Sequence, residues 1–310
     1  MEAQEKKPKV SVCVITYNQE KYIRQCLQSI VDQKTEFEFE VIVGDDCSTD
    51  GTRVIVQEFV DKFPLTIRTV FQEKRTGGMK NYMDVHAEAK GEFVAHIDGD
   101  DLALPNKLQE QARYLDMHPE CSVVWHRVCR FTDEDIVGIP NAPDFSLFHE
   151  GKVYLSDMLE LGNFVFHSST MYRASCRKTK QTDNDLLDWY FTVELLNSGY
   201  GMYLDNILGK YRYNEKTGLS GGARQRITRA HYATLLKRYI ETYPEYRKEL
   251  FKNCIISTLV DAKKMRMTAL KFFVLAFKSC CLIKPNKLLL AINRYKLVRR
   301  FATTPCPTLY

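Results

Sequence analysis

No stretch of this 310-residue sequence is both long and apolar enough to cross a bilayer. The most apolar long window, Phe272–Ile283, is interrupted by Lys278 and stopped at Pro285. That falls short of the roughly 20 apolar residues a spanning helix needs. Met1 to Lys9 is charged and has no apolar core, so it does not read as a secretory signal. The ten cysteines form no CxxC pair; Cys13 sits in an apolar run, Cys26 on a predicted amphipathic helix, and Cys280 and Cys281 are adjacent. They read as free thiols acting as small hydrophobes rather than as a disulfide framework. Unpaired cysteines without an export signal predict the cytoplasm. GxGxxG after the first strand, GxxxxGK[ST], HExxH and GxSxG are all missing, which removes the usual glycine-rich phosphate cradles and two hydrolase signatures. There is no internal repeat or low-complexity tract. Hydrophobic residues at 45% and charged residues at 27% exclude disorder, collagen and coiled coil as descriptions of the whole.

What is present is uneven in charge. The net charge of +5 hides two halves. Residues 221–310 hold 19 Lys and Arg against 4 Asp and Glu; residues 1–220 hold 25 against 35. An acidic body carries a basic tail.

The body alternates. Val10–Thr16 is a short run of β-branched type, read as a strand buried on both faces. Glu20–Gln33 then places Tyr22, Ile23, Cys26, Leu27, Ile30 and Val31 at helical spacing. Strand Glu40–Asp45, helix Arg53–Phe63, strand Thr66–Phe71, helix Met79–Ala89 and strand Glu92–Ile97 follow. This alternation predicts a doubly wound α/β sheet, mostly parallel, whose ligands bind beyond the carboxyl ends of the strands. Three polar clusters lie at those ends: Thr16-Tyr17-Asn18, Asp45-Asp46, and Asp98-Gly99-Asp100-Asp101. Beyond Pro105 the reading is a helix at Asn106–Met117, a strand at Ser122–Phe131, a helix at Asp183–Asn197 and a strand at Tyr203–Tyr211. Thr217–Ala223 is a candidate hinge, and everything after it reads helical, with breaks at Pro244 and Pro285. The expected domains are residues 1–220 and a basic helical region, 221–310.

Three acids within four residues repel one another unless a cation intervenes. Carboxylates at a strand end attract a hard cation, and that cation neutralises a diphosphate the acids would otherwise repel. The chemistry therefore points to a nucleotide-diphosphate donor held through Mg²⁺ or Mn²⁺.

The Thr16-Tyr17-Asn18 turn, the segment Asp45-Asp46-Cys-Ser-Thr-Asp-Gly-Thr52 and the segment Gly91-Glu-Phe-Val-Ala-His-Ile-Asp-Gly-Asp-Asp101 together resemble the family 2 glycosyltransferases with the GT-A fold. The likeness spans about residues 8–220. It implies that Thr16 and Tyr17 form the base-binding turn and that Asp46, with Asp45 beside it, accepts from the uracil N3–H. It implies that Asp98 bonds the ribose, that Asp100 binds the metal, and that Asp101 aids the metal or orients the acceptor. Lys80 and Asn81 fall near the donor, where the family often carries Arg-Asn. Phe166–Arg173 is similar to the acceptor-side strand. Leu187-Asp188-Trp189 resembles the family's Glu-Asp motif, which makes Asp188 the candidate general base, with Asp183 and Asp185 as neighbouring competitors. Asn214 stands where the family usually has a histidine after Tyr211-Arg212. The implied reaction is an inverting single displacement.

The tail mixes Lys and Arg with apolar clusters at Phe272–Phe277, Leu288–Ile292 and Tyr295–Phe301. Basic amphipathic helices bind membrane surfaces; the plainer reading is a helical layer packed on the acidic body. The resemblance extends to O-antigen and capsule assembly enzymes. It implies a UDP-hexose donor, UDP-glucose or UDP-galactose, and an acceptor such as GlcNAc-diphospho-undecaprenol at the inner face of the cell membrane. The acidic rim argues against nucleic acid. The rivals are a nucleotidyltransferase, which would need a basic, glycine-rich loop after the first strand, and a non-catalytic carbohydrate-binding or scaffolding protein, which would have lost acids from the rim.

Overall fold

The computed structural model describes residues 7–133, 136–140, 147–177, 188–213, 224–279, 283–298 and 301–304. Asp183, Asp185, Leu187, Asn214, the candidate hinge and the Cys280–Cys281 pair lie outside the described residues.

The alternating half folds as its periodicity predicts. Its elements are β1 (Val10–Thr16), α1 (Ile23–Val31), β2 (Phe39–Asp45), α2 (Thr52–Lys62), β3 (Ile67–Phe71), α3 (Gly78–Ala87) and β4 (Phe93–Asp98). Strand β1 pairs in parallel with β2 on one side and β4 on the other, and β2 pairs in parallel with β3. Helices fill the crossovers, which buries the strands on both faces. In β1 the side chains alternate: Val10, Val12 and Val14 face one core with α1, and Cys13 faces the other. On α1, Ile23, Cys26, Leu27 and Ile30 are fully buried at the spacing of one helical stripe.

After β4 the chain adds β5 (Leu102–Ala103), α4 (Lys107–Met117), β6 (Cys121–Phe131), β7 (Ile136–Pro140), β8 (Lys152–Val153), α5 (Leu155–Leu161), β9 (Met171–Arg173), α6 (Asp188–Leu196) and β10 (Tyr200–Arg212). Here the sheet becomes mixed. Strand β9 is antiparallel to both β4 and β6, while β10 runs parallel to β6. With β11 (Phe301–Thr304) at one end, the described sheet reads β11-β7-β6-β9-β4-β1-β2-β3, with β10 on the other edge of β6. Strand β11 joins it from the far end of the chain, antiparallel to β7.

Among the described residues four helices follow β10: α7 (Arg224–Thr242), α8 (Arg247–Lys263), α9 (Thr268–Lys278) and α10 (Pro285–Val298). Trp125 of β6, Trp189 of α6, Leu236 and Tyr239 of α7, Cys254 of α8 and Phe272 of α9 belong to one buried cluster. The layers before and after residue 220 therefore share a core. Charge joins them as well: Lys252 reaches Glu160 at 2.6 Å, and Arg294 reaches Glu160 at 2.9 Å and Asp157 at 2.6 Å. Among the described residues no helix is long and apolar enough to cross a membrane, and the described cysteines are unpaired.

Candidate active site

Strand register assembles the rim. Thr16 stands opposite Asp45 across β1 and β2, and Ile15 opposite Asp98 across β1 and β4. Three strands thus end at one level, and their polar ends meet. The following loop crosses β1 closely. A Cβ on Gly99 would lie 2.5 Å from Gln19 Oε1 and 3.1 Å from the Ile15 carbonyl oxygen, so any larger residue there would displace the Gln19 side chain and crowd the end of β1.

The turn after β1 is laced to the loop after β2. Asn18, in the left-handed region at φ 51°, accepts from the Thr49 amide at 2.8 Å, and its own amide donates to Ser48 Oγ at 2.9 Å. Asp45 is fully buried, with Arg53 and Ser48 donating to it. It shapes the loop from within. Asp46 accepts from the amide and hydroxyl of Thr76, at 2.6 and 2.9 Å, and from the Gly77 amide at 2.9 Å. A carboxylate has about four lone-pair sites, so the described residues leave one open on Asp46. The Arg75 guanidinium lies 4.2 Å from the Tyr17 ring centre. Lys80 pairs with Asp84 on its own helix, and Asn81 is buried, donating to the Gly44 carbonyl at 2.9 Å. These two side chains fasten α3 to itself and to β2.

The acid cluster behaves as crowded charge should. Asp98 accepts from His96 Nε2 at 3.2 Å and from Ser168 Oγ at 3.3 Å. Burial alone would raise its carboxyl; the bonds from His96 and Ser168 and the nearby His167 outweigh that and hold it below the usual range. His96 is itself held down at about 4, first by burial and then by His167, so it meets Asp98 as a neutral donor at neutral pH. Asp100 is pushed up to about 6 by burial and by the charge of Asp98, with Arg212 and Gln19 opposing. Asp101 is buried and pushed well up by burial and by Asp100 and Asp98. Its carboxylate accepts from Ser168 Oγ and from the Arg212 amide at 2.7 Å, so it faces the protein. The Arg212 guanidinium bonds Asp133 and the Asp100 carbonyl instead of the acid side chains. Among the described residues, no Lys or Arg side chain bridges Asp98, Asp100 or Asp101.

Asp188 opens α6 with its side chain 53% exposed, 3.8 Å from His167 Nδ1. His167 stacks on His96 with ring centres 3.9 Å apart and on Tyr82 at 5.1 Å. Beneath them a polar chain runs from Tyr172 OH to His86 Nδ1 at 2.8 Å, then from His86 Nε2 to His96 Nδ1 at 3.0 Å. Trp189 is turned away from the rim. It is buried against Tyr232 and Tyr239, and its Nε1 donates to the Met158 carbonyl.

The rim suits a divalent cation. His96, Asp98 and His167 offer ligand atoms within 4.8 Å of one another. His167 Nε2 is buried without a hydrogen-bond partner, and Asp100 carries a negative charge that its surroundings resist. Sequence reasoning named the acids and missed His96, His167 and Ser168. One signal was available: His96 precedes Asp98 by two in a strand, so both point to the same face.

A sheet of this order with an acid rim and flanking helices is the GT-A fold. TarS residues 1–349 from Staphylococcus aureus, in complex with UDP-GlcNAc, match with a TM-score of 0.62 and 21% identity over 94% of this chain and 90% of that one. A Pyrobaculum calidifontis mannosyltransferase in complex with GDP-Man and Mn²⁺ matches with a TM-score of 0.59 and 17% identity, over 94% and 86%. The family model "Glycosyl transferase family 2" matches residues 11–179. TuaG of Bacillus subtilis, named as a teichuronic acid biosynthesis glycosyltransferase, is 36% identical over 66% of this chain and 79% of its own length. Uncharacterized proteins of Mycobacterium tuberculosis and Mycobacterium bovis are also 36% identical, over 66% of this chain, which spans 58% of their length. The chain belongs to glycosyl transferase family 2.

Proposed function

We propose that this protein is an inverting, divalent-metal-dependent hexosyltransferase. Its donor is a UDP-sugar, with UDP-glucose or UDP-galactose favoured, and its acceptor a lipid-diphosphate-linked sugar such as GlcNAc-diphospho-undecaprenol, in O-antigen or capsule assembly. The carrying observation is the rim: register brings Thr16, Asp45 and Asp98 to one level, and Asp98, Asp100 and Asp101 have no Lys or Arg side-chain partner among the described residues, whereas Asp45 is held by Arg53. A nucleoside diphosphate with its cation meets both the charge and the position. The structural neighbours bound to UDP-GlcNAc and to GDP-Man support a nucleotide-sugar donor.

In this reading Tyr17 packs on the base and the open lone pair of Asp46 accepts from uracil N3–H. Asp98 is kept ionised by His96 and Ser168 and accepts from the ribose. Asp100 would hold the cation, and Asp98 and His167, two of the three groups whose ligand atoms lie within 4.8 Å of one another, would supply further donors. When bound there, a divalent cation would supply charge stabilisation for the departing diphosphate. Asp101 acts within the protein, sharing the Ser168 hydroxyl with Asp98 and so fixing its position. Asp188 is exposed enough to meet an acceptor hydroxyl and takes its proton as the oxygen attacks the anomeric carbon. Lys80 and Asn81 support the donor side through α3. The basic region 221–310 brings the protein to the inner face of the cell membrane, where a lipid-linked acceptor resides.

A product screen tests this. The protein is incubated with a panel of UDP- and GDP-sugars, Mn²⁺ and a synthetic GlcNAc-diphosphate-lipid, and products are read by mass. The expected result is a gain of one hexose with a UDP-hexose. Absence of transfer from every donor would overturn the acceptor assignment.

A further inference from the structure

Helix α9 is apolar on two sides, and the protein covers one of them. Phe272, Leu275, Ala276 and Ser279 are buried against α7 and α8. One position round, Leu270, Phe273, Val274 and Phe277 form a second stripe at the same helical spacing, exposed by 61%, 49%, 47% and 74%. Met265 and Met267, just before the helix, extend the stripe at 94% and 84% exposure. Leu289 and Leu290 of α10 are also more than half exposed. A water-facing helix of a monomeric domain carries polar residues here, so a contiguous apolar stripe marks a surface that meets something.

Charge identifies the partner. Lys263, Lys264, Lys271, Lys278, Lys284 and Lys287 are all exposed on the segments that carry these apolar side chains. From residue 262 to 298 the sequence contains no Asp or Glu. Asp261, just before it, is fully buried and held by Arg229 and Arg266. The surface thus combines large apolar side chains with uncompensated positive charge. A second copy packed by a twofold axis would set lysines against lysines. Nucleic acid would leave the phenylalanines in water. An anionic bilayer accepts both, since the rings enter the acyl boundary while the lysines stretch up to the headgroups.

We infer that the outward face of α9, with the Met265–Met267 turn, docks the protein on an anionic lipid surface. The inference names the surface on which the proposed membrane association rests, and it stands without any assumption about the donor sugar. Both forces act together: insertion of the stripe supplies affinity, and the lysines supply selectivity for negative headgroups and sensitivity to salt.

The test is flotation of the full-length protein with vesicles of phosphatidylcholine, with or without phosphatidylglycerol, at low and high salt. Wild type is expected to float with the anionic vesicles, less at high salt and less with neutral ones. Phe273→Glu with Phe277→Glu lowers partition by about tenfold or more. Lys271→Glu with Lys278→Glu lowers it by about tenfold on anionic vesicles and little on neutral ones. Both pairs are exposed, so their thermal melts stay near wild type; the lysine pair carries the test if the phenylalanine pair fails to fold. Wild-type partition that neither pair alters, or no binding by wild type, overturns the inference. So does a dimer in sedimentation that the phenylalanine variant dissolves, since the occupant is then a second copy. UDP binding in solution is measured on the same samples. Wild type that binds UDP but does not float sinks this surface alone, whereas wild type that fails to bind UDP sinks the nucleotide-sugar reading.

Discussion

The Asp98–Asp101 corner of the rim and the interface with the C-terminal helices treat their acids in opposite ways. In the helical layer each is neutralised inside the chain: Asp261 by Arg229 and Arg266, Glu160 by Lys252 and Arg294, and Asp157 by Arg294. At the rim Asp98, Asp100 and Asp101 crowd together with hydroxyl, amide and imidazole partners, and two of them are pushed up by burial and mutual repulsion. The first arrangement stabilises the fold. The second leaves negative charge for a ligand to complete, which is how perturbed carboxylates separate a binding rim from a structural network.

Mutations sharpen this contrast. The largest effect is expected at Asp188: Asp188→Asn should lower turnover by about 10²–10⁴-fold while UDP affinity stays near wild type. Unchanged single-turnover rates would remove the base assignment. In the helical layer, Arg294→Met leaves Asp157 and Glu160 short of a partner, and breaking such a buried pair costs about 3–5 kcal/mol, readable by urea denaturation. A rim acid should respond in the other direction. Asp100→Asn relieves repulsion with Asp98 and should stabilise the metal-free protein by about 0.5–2 kcal/mol while impairing function. If both variants destabilise alike, the two regions do not differ as described.

A pH series separates the regions more finely. Lys107 is buried, donating to His126, Gln111 and the Ser168 carbonyl, and burial holds it down at about 7 despite the nearby charge of Asp101. Between that value and the ordinary lysine range the unfolded chain binds the extra proton. Its contribution therefore makes stability rise with pH across this window, by up to about 1.4 kcal/mol per pH unit. Lys107→Met should remove that slope; denaturation midpoints at several pH values on both sides of neutrality show whether the difference between variant and wild type changes.

The fold was readable where local pattern decides it. The short β-branched run Val10–Thr16 and the period of 3.6 in Ile23–Ile30 each define an element without outside help. The three polar clusters, two of them rich in acids, were readable too, since a parallel sheet places strand ends on one side. The partners of those acids were harder to see. Ser168 holds Asp98 and Asp101 from about 70 positions away in sequence, and the histidine chain joins residues of α3, β4 and β9. Such contacts come from β9 entering antiparallel between β4 and β6, and local periodicity carries no trace of that pairing. The tail was legible only in part: its charge surplus stands out in sequence, but Arg229, Lys252, Arg266 and Arg294 turn inward onto acids. The sequence does not show which charges stay outside.

The central claim is that the rim acids form a cation-assisted nucleoside-diphosphate site. Calorimetric titration with UDP, with and without Mn²⁺, tests it most directly on wild type, Asp100→Ala and Asp188→Asn. The prediction is Mn²⁺-dependent binding in wild type and Asp188→Asn, reduced in Asp100→Ala to the metal-free level. Equal UDP affinity in all three, unchanged by Mn²⁺, would contradict it.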